Sequence, residues 1–297
     1  MNILIIGSKG FIGSKCIEYF GSTHEVWGCD VVNDFAIENY SIVDDLQHTL
    51  SELYSQFSFD VCINCSGLAH VPNSLIHPFE DYTQNTLNVI KILEALRKSN
   101  PECKFINLSS AAVYGNPLTL PIDETHPINP LSPYGYHKYQ AELLCEEYHK
   151  LYGLRTCSLR IFSAYGPGLR KQLLWDLYQK SIRSEEIQLF GTGNETRDFI
   201  FIDDLIEAIE IVIRNGKFSA ECLNIASGIS YEVKEVAALF FRSMEKKVKI
   251  KFDDQSRDGD PSNWKADISQ LMAMGFKSKT PLTIGIDKYV KWLKELK

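Results

Sequence analysis

The sequence predicts an α/β fold, in which a doubly wound parallel sheet carries helices on both faces and is followed by a smaller C-terminal lobe. Three observations predict it. The first half alternates short apolar strands with helical patterns, this rhythm changes after about residue 165, and the 297 residues, 44% of them hydrophobic, suffice for a large core. Alternating strands and helices are typical of a parallel sheet. The predicted strands lie at 2–6, 25–29, 61–65, 104–108 and 156–160.

The second half of the chain has shorter elements. They are interrupted by glycine and proline at Pro167, Gly168, Gly191, Gly193, Gly228, Gly259 and Pro261. We therefore predict a main domain over 1–165, rejoined by about 200–213, and a smaller lobe covering a cleft, mainly over 166–297. Apolar residues at helical spacing predict a closing amphipathic helix through Ile286, Tyr289, Val290 and Leu293.

Composition and charge exclude several classes of protein. A net charge of -7 gives no support for a nucleic-acid partner, which would favour a basic face. No segment approaches the roughly 20 apolar residues of a membrane helix. The N-terminus lacks the layout of a signal peptide. We therefore expect a cytoplasmic protein that does not act in a membrane.

Cysteine and histidine usage predicts no metal site. Eight cysteines are too sparse for a disulfide scaffold in a chain of this length. Cys62 and Cys65 lie in a predicted strand, where residues three apart point to opposite faces. The histidines lack partners at ligand spacing. We interpret both cysteines as core residues, and the histidines as surface or packing residues.

A glycine-rich turn follows the first predicted strand and opens a helix, with the sequence Gly7-Ser8-Lys9-Gly10-Phe11-Ile12-Gly13. Gly7 suits a tight turn, Gly10 lets a pyrophosphate approach the backbone, and Gly13 lets the helix pack close to the strand. The helix N-terminus adds amide donors and a partial positive charge. This context predicts a Rossmann-type dinucleotide site, and a glycine turn without a ligand is the alternative.

The second predicted strand ends at Asp30, which lies 23 residues after Gly7. An acid about 20 residues after the glycine turn accepts hydrogen bonds from the adenosine ribose. Its charge would repel the extra phosphate of NADP, so we predict NAD. A surface acid without a ligand is the alternative. Asp44 or Asp45 is a candidate for the adenine edge, and the sequence leaves this choice open.

The catalytic candidates are Ser110, Tyr134 and Lys138. Ser110 ends the strand that begins at residue 104, and Pro133 precedes Tyr134 at a predicted helix start. On a helix, Tyr134 and Lys138 share one face. A neighbouring ammonium favours the phenolate and lowers a tyrosine pKa that is near 10 in water. Tyr134 would then accept a proton from a substrate hydroxyl that Ser110 also contacts.

Together, in this order, these motifs resemble the extended short-chain dehydrogenase/reductase family over nearly the whole chain, specifically its NAD-dependent nucleotide-sugar epimerases and dehydratases. Asn64-Cys65-Ser66-Gly67 stands where the family has a turn near the cofactor. Asn85 is also typical of the family's cofactor side, although a helix N-cap explains it almost as well. The resemblance implies that the cofactor contacts also include Phe11, Ile12, Cys65, Ser66, Gly67, Asn85 and Phe162.

The resemblance extends to the second half of the chain. Arg160 to Gly168 resembles the family stretch R-x-F-N-x-Y-G-P-G, with Ser163 in place of the asparagine that contacts the sugar-phosphate. Further matches imply that Arg197 and Arg257 clamp the diphosphate, as bidentate guanidinium groups can. The alternative is that these arginines pair with Asp198, Asp258 or Asp260. The resemblance also implies a homodimer through helices near 79–98 and 134–152, and a role in making polysaccharide precursors.

The two residues directly after Ser110 indicate the reaction. The family's 4,6-dehydratases carry an acid pair there and its decarboxylases a glutamate, whereas this chain has Ala111 and Ala112. Methyl groups cannot transfer protons, which disfavours both reactions. We predict a 4-epimerase that keeps NAD bound. A 4-ketoreductase using NAD(P)H is the alternative from the same residues. A catalytically silent binding regulator is disfavoured by the intact Ser110, Tyr134 and Lys138.

Overall fold

The computed structural model describes residues 1–33, 39–255, 259 and 261–296. Its strands are β1 (Asn2–Ile6), β2 (Glu25–Asp30), β3 (Tyr40–Ile42), β4 (Val61–Asn64), β5 (Lys104–Ser110), β6 (Arg155–Ile161), β7 (Ser163–Tyr165), β8 (Glu186–Leu189), β9 (Thr196–Phe201), β10 (Ser219–Ile225), β11 (Ser230–Glu232) and β12 (Lys249–Phe252). Each of the predicted strands is present, with ends shifted by no more than two residues.

The helices are α1 (Phe11–Phe20), α2 (Leu46–Gln56), α3 (Val71–Ile76), α4 (Pro78–Tyr82), α5 (Asn88–Ser99), α6 (Pro133–Tyr152), α7 (Gln172–Ser181), α8 (Ile202–Asn215), α9 (Val233–Ser243), α10 (Ser269–Ala273) and α11 (Leu282–Glu295). A π-helical turn over Thr83–Leu87 joins α4 to α5, and a 3-10 turn over Ala111–Val113 follows β5.

In the described part of the chain, seven strands form one sheet in the order β10-β6-β5-β4-β1-β2-β3, and every pairing in it is parallel. The strand order reverses between β1 and β4, since the chain passes from β1 to β2 and β3 on one side and then to β4 on the other. In open parallel sheets, ligands bind outside the carboxyl ends of the strands at such a reversal. The predicted α/β fold is confirmed.

In the described part of the chain, the main sheet has two more strands than the five that we predicted: the three-residue β3 at one edge and β10 at the other. We expected only about 200–213 to rejoin the main domain. The structure packs α8 against α1 and also adds β10 beside β6. This edge strand was missed because its first residues are polar and only half-buried, so that SAECLNI lacks the apolar run of an inner strand.

Alternate residues of the strands fill opposite faces of the sheet. Ile3 and Ile5 of β1 belong to one buried cluster, whereas Leu4 and Ile6 belong to the other. Cys62 packs in the second cluster and Cys65 against the first, so these two cysteines point to opposite faces as predicted. Within the residues described, no three histidine, cysteine or acidic side chains are grouped so that they could hold a metal ion.

The remaining strands form small sheets at the carboxyl edge. β9 lies between β11 and β7, and β12 pairs with β8. The predicted closing helix is confirmed as α11, and its apolar positions Ile286, Tyr289, Val290 and Leu293 are buried. A search of the described helices finds none with the length and apolar character needed to span a bilayer.

Candidate active site

The glycine turn and the start of α1 lie at the carboxyl end of β1. The Gly7 amide donates to the carbonyl oxygen of Cys29, 2.8 Å away, which ties the turn to β2. A β-carbon added to Gly13 would lie 2.1 Å from the carbonyl oxygen of Gly7. Only glycine therefore lets α1 begin so close to the turn. The arrangement leaves the amides of the first turn of α1 at the point where the strand order reverses.

Asp30 lies beside this turn. Its Oδ2 accepts a hydrogen bond from the Lys9 amide at 2.9 Å, and its Oδ1 accepts one from the Val32 amide at 3.3 Å. The carboxylate is therefore held by the backbone at the edge of the predicted cofactor cleft. Both candidates for the adenine edge, Asp44 and Asp45, are exposed, and Asp45 also caps α2 by accepting from the His48 amide at 2.8 Å.

A second turn, at the end of β4, abuts the first. A β-carbon on Gly7 would lie 2.7 Å from the Ser66 amide nitrogen. The Ser66 hydroxyl and amide both donate to Asn64 Oδ1, at 2.6 and 3.2 Å. Gly67 has a φ of +110°, which side-chain-bearing residues rarely adopt, and an added β-carbon would lie 2.4 Å from Asn85 Oδ1. The turn thus brings Cys65, Ser66 and Gly67 next to Asn85.

Asn85 lies inside the π-helical turn between α4 and α5, and its side chain is buried. The N-cap interpretation is wrong, because Asn85 starts no helix. Its amide group donates to the Leu68 carbonyl at 3.0 Å. Its Oδ1 is buried and has no hydrogen-bond partner in the described chain. A buried acceptor without a partner is costly, and π-helical turns are frequent at functional sites.

Ser110, Tyr134 and Lys138 come together beside this turn. Ser132 caps α6 by accepting from the Gly135 amide at 3.2 Å, and this cap sets the start of the helix. The Tyr134 phenol lies close enough to the Ser110 side chain for the serine to influence its pKa. The Lys138 ammonium lies 5.9 Å from the centroid of the Tyr134 ring. The Lys138 ammonium nitrogen would lie 3.4 Å from a β-carbon added to Gly67, so the Lys138 side chain faces the predicted cofactor turn.

Burial has the largest effect on the pKa values of Tyr134 and Lys138. It raises the pKa of Tyr134 to about 12, and the nearby Ser110 side chain lowers this pKa less than burial raises it. The predicted net lowering of the Tyr134 pKa is wrong for this arrangement, because desolvation of the phenol has the largest effect. The Lys138 ammonium instead donates to the Leu108 carbonyl at 2.9 Å. Burial also lowers the pKa of Lys138 to about 8, with Asp81 opposing this change and Lys171 adding to it.

The predicted substrate residues that the structure describes beyond α6 lie on two paired strands, Ser163 on β7 and Arg197 on β9. Ser163 is half-buried in β7, and Phe162 packs between the rings of Tyr114 and Trp264. The Arg197 guanidinium donates to the carbonyl oxygens of Thr196 and Ser262, and it lies 5.6 Å from the ring centroid of Trp264.

The acid beside Arg197 in the sequence has partners of its own. Asp198 is buried and accepts hydrogen bonds from Ser227 and Ala266. Arg257, Asp258 and Asp260 lie outside the described residues, so the predicted clamp at Arg257 and its alternative pairings stay predictions.

Three residues near this site were not assigned to it from the sequence: Lys171, His137 and Asp81. Lys171 donates to the Ala69 carbonyl at 3.3 Å, and only its position after the Tyr165-Gly166-Pro167 stretch could have signalled it. His137, interpreted as a surface or packing histidine, instead has its Nδ1 2.6 Å from a carboxylate oxygen of the buried Asp81. The position of His137 between Tyr134 and Lys138 was the available signal.

Comparison with known proteins identifies the family. The model of the "NAD dependent epimerase/dehydratase family" matches residues 3–226. A putative UDP-glucose 4-epimerase of Methanocaldococcus jannaschii is 31% identical over 303 residues, covering 98% of each chain.

Solved structures agree with this assignment. The UDP-glucuronic acid 4-epimerase of Bacillus cereus, in complex with UDP-glucuronic acid and NAD, is 26% identical, covers both chains fully and has a TM-score of 0.91. The UDP-N-acetylglucosamine 4-epimerase of Methanobrevibacter ruminantium, in complex with UDP-N-acetylmuramic acid, is 25% identical, covers 100% of this chain and 99% of its own, and has a TM-score of 0.88. This chain therefore belongs to the NAD-dependent epimerase/dehydratase family.

Proposed function

We propose that this protein is an NAD-dependent nucleotide-sugar 4-epimerase. The observation that carries the proposal is the convergence of Ser110, Tyr134 and Lys138 beside the turn at Gly67, where the parallel sheet reverses its strand order. These are the groups needed to hold a sugar hydroxyl and to move its proton. The similar proteins from Methanocaldococcus and Bacillus carry the names of 4-epimerases, which supports the same reaction here.

The residues of the cleft fit NAD. Gly7, Gly10 and Gly13 would admit its pyrophosphate at the N-terminus of α1, with Phe11 and Ile12 in the first turn. Asp30 would accept hydrogen bonds from the adenosine ribose, and Asp44 is the remaining candidate near the adenine. On the other side of the cleft, the contacts would come from Cys65, Ser66, Gly67, Asn85, Tyr134, Lys138 and Phe162. The partnerless Asn85 Oδ1 is an acceptor that a cofactor hydroxyl or amide would satisfy.

The chain's own residues account for the proton transfers. Ser110 would hold the C4 oxygen of the sugar while Tyr134 takes its proton, and Tyr134 would return the proton after the keto sugar has presented its other face. Lys138 would stabilise the phenolate and hold the cofactor ribose. NAD, when bound, would supply the hydride acceptor and later the hydride donor, and its cationic ring would favour the phenolate.

The turn after β5 supports epimerisation over elimination of water. Ala111 is buried and Ala112 is half-buried in the 3-10 turn that follows Ser110. The Ala112 amide donates to Ser110 Oγ at 3.2 Å, so the turn positions the serine. Neither alanine can act as a general acid or base, which leaves the proton chemistry to Tyr134 and Ser110.

The substrate would bind between the main domain and the lobe that lies mainly within 166–297. We assign the sugar-phosphate to Ser163 and the diphosphate to Arg197 and Arg257, with Ser110 and Tyr134 at the reacting carbon. The NAD domain comprises 1–165 with the returning segment that includes α8. Trp264 holds the Arg197 guanidinium by a cation–π contact, which supports a fixed, planar donor for a phosphate.

We also propose a homodimer built on α5 and α6. A groove between these helices is lined by apolar side chains, among them Tyr82, Leu87, Ile90, Leu143 and Leu144. Leu143 is 44% exposed, although it lies on a long helix of the main domain. An antiparallel copy of the same helix pair would bury these side chains. We place the enzyme in the cytoplasm, where NAD and nucleotide sugars are available, and in the supply of polysaccharide precursors.

The test is turnover by the purified protein without added cofactor. UDP-glucose, UDP-N-acetylglucosamine and UDP-glucuronate are offered in turn, the 4-epimers are resolved chromatographically, and the reduced nicotinamide band is followed. We expect at least one sugar to reach an epimer equilibrium without net change in that band. A requirement for stoichiometric reduced cofactor and a keto sugar would identify a ketoreductase instead. Binding without product would identify a regulator.

A further inference from the structure

The buried carboxylate of Asp81 lies behind the catalytic residues of α6. Asp81 is in the short helix α4, its side chain is 1% exposed, and its Oδ2 is 2.6 Å from Nδ1 of His137. Its other oxygen, Oδ1, is buried and has no hydrogen-bond partner in the described parts of the chain. Burying a charge is costly unless a counter-charge and hydrogen bonds compensate. His137 is therefore the group that compensates this carboxylate.

The pair is next to the catalytic residues in space. His137 follows the Tyr134 turn of α6 and directly precedes Lys138. Its backbone carbonyl accepts a hydrogen bond from Thr86 at 3.0 Å, and the ring of Tyr82 lies edge-on, 5.5 Å from the imidazole. His137 is thus held through its backbone by Thr86 and through its ring by Tyr82 and Asp81, and its side chain is 12% exposed.

Several ionisable groups of α6 face Asp81. His137 contacts its carboxylate, and the charge of Asp81 affects Tyr134 and Lys138, while α4 itself also carries Glu80 and Tyr82. The adjoining α3 and the π-helical turn contain no ionisable side chain. The negative charge of Asp81 raises the pKa values of both Tyr134 and Lys138, in each case after the larger effect of burial.

We infer that Asp81 and His137 form a positioning pair, in which His137, bonded to the buried Asp81 carboxylate, offsets its charge and so sets the electrostatic environment of Tyr134 and Lys138. The pair does not touch the reacting atoms. It deepens the proposed function, because its effect on turnover depends on Tyr134 acting as the base and Lys138 as its cationic partner.

The inference predicts that Asp81→Asn and His137→Gln shift the pKa of Lys138 in opposite directions. Asp81→Asn removes the negative charge, so the pKa of Lys138 should fall. His137→Gln retains a hydrogen-bond donor but leaves the carboxylate uncompensated, so the pKa of Lys138 should rise. A neighbouring charge shifts a pKa by about one unit or more. Asp81→Asn should move both limbs of the pH profile of kcat/KM to lower pH, and His137→Gln should move both to higher pH.

The experiment titrates Lys138 directly, by NMR of isotope-labelled lysine in the purified full-length protein, with the signal assigned by Lys138→Arg. Asp176→Asn and His48→Gln are matched controls, since their side chains are 49% and 73% exposed and should leave the titration unchanged. Thermal unfolding shows whether each variant folds. If Asp81→Asn does not fold, the upward shift in His137→Gln, with His137→Asn as a second variant, tests the inference alone.

Opposite shifts support the pair. Shifts of the same sign, or no shift in His137→Gln, would overturn it, because His137 would then carry no balancing charge. A merely structural role would lower kcat or stability without moving the titration. The NMR titration of Lys138 does not require turnover. The absence of epimerase activity would therefore refute the proposed function, while the titration would still test the Asp81–His137 pair.

Discussion

The Lys138 ammonium donates a hydrogen bond to the carbonyl oxygen of Leu108, 2.9 Å away. This bond joins the catalytic face of α6 to the end of β5, close to Ser110. It also explains why the ammonium does not directly contact the Tyr134 phenol. The hydrogen bond therefore fixes α6 to β5, the two elements that carry the catalytic groups, and it places the buried Lys138 ammonium where they meet.

Activity should fall as the pH rises through about 8, since burial lowers the pKa of Lys138 to about 8 and deprotonation removes the cation beside the phenol. The measurement is kcat/KM of the holoenzyme against pH. In Lys138→Arg the guanidinium stays charged throughout this range. We expect lower activity but no such alkaline limb. The same limb in the arginine variant would show that another group causes it.

Tyr134→Phe should reduce kcat by roughly a hundredfold to ten-thousandfold, the usual contribution of a positioned acid or base. The fold and the affinity for UDP should be nearly unchanged, because the ring still fills its buried position. Tyr136→Phe is the matched control on the same helix turn, as Tyr136 is 52% exposed. Comparable kcat values in the two variants would remove Tyr134 from the role of base.

Asp30→Ala should reduce the preference for NAD over NADP. Losing a hydrogen bond to a charged acceptor costs about 1.5 to 3 kcal/mol, or roughly ten- to a hundredfold in affinity. Titration calorimetry with both cofactors gives the ratio of the dissociation constants, which cancels any general loss of affinity. Asp44→Ala separates the two acids, since Asp44 is exposed. An unchanged ratio in Asp30→Ala would place the ribose elsewhere.

Gly67→Ala should lose both stability and bound NAD. The new β-carbon would lie 2.4 Å from Asn85 Oδ1, so the side chain that we assign to the cofactor must move. Gly275→Ala is a close control, because φ is +103° there and nothing lies within 4 Å of an added β-carbon. Both variants carry backbone strain of about 1 kcal/mol or more. Thermal unfolding and NAD content after purification should show the additional loss only in Gly67→Ala.

Much of the candidate site was predictable because its signals are local. The strand, glycine turn and helix from Asn2 to Phe20 occur in one continuous segment, and Tyr134 and Lys138 share a face by helical spacing alone. The opposite facing of Cys62 and Cys65 likewise follows from strand geometry. Asn85 was predicted to lie near the cofactor, but the alternative of a helix N-cap stayed open, because the sequence does not show that Asn85 lies in a π-helical turn.

The amino-acid sequence by itself determined the alternation of strands and helices in the first half, the position of the glycine turn and the pairing of tyrosine with lysine on one helix face, because short-range periodicity and turn chemistry encode these features. Only the tertiary structure decided that β10 completes the sheet, that burial raises rather than lowers the pKa of Tyr134, and that His137 meets Asp81 across 56 residues of chain. These outcomes depend on which distant segments exclude water from one another, and no local pattern records that.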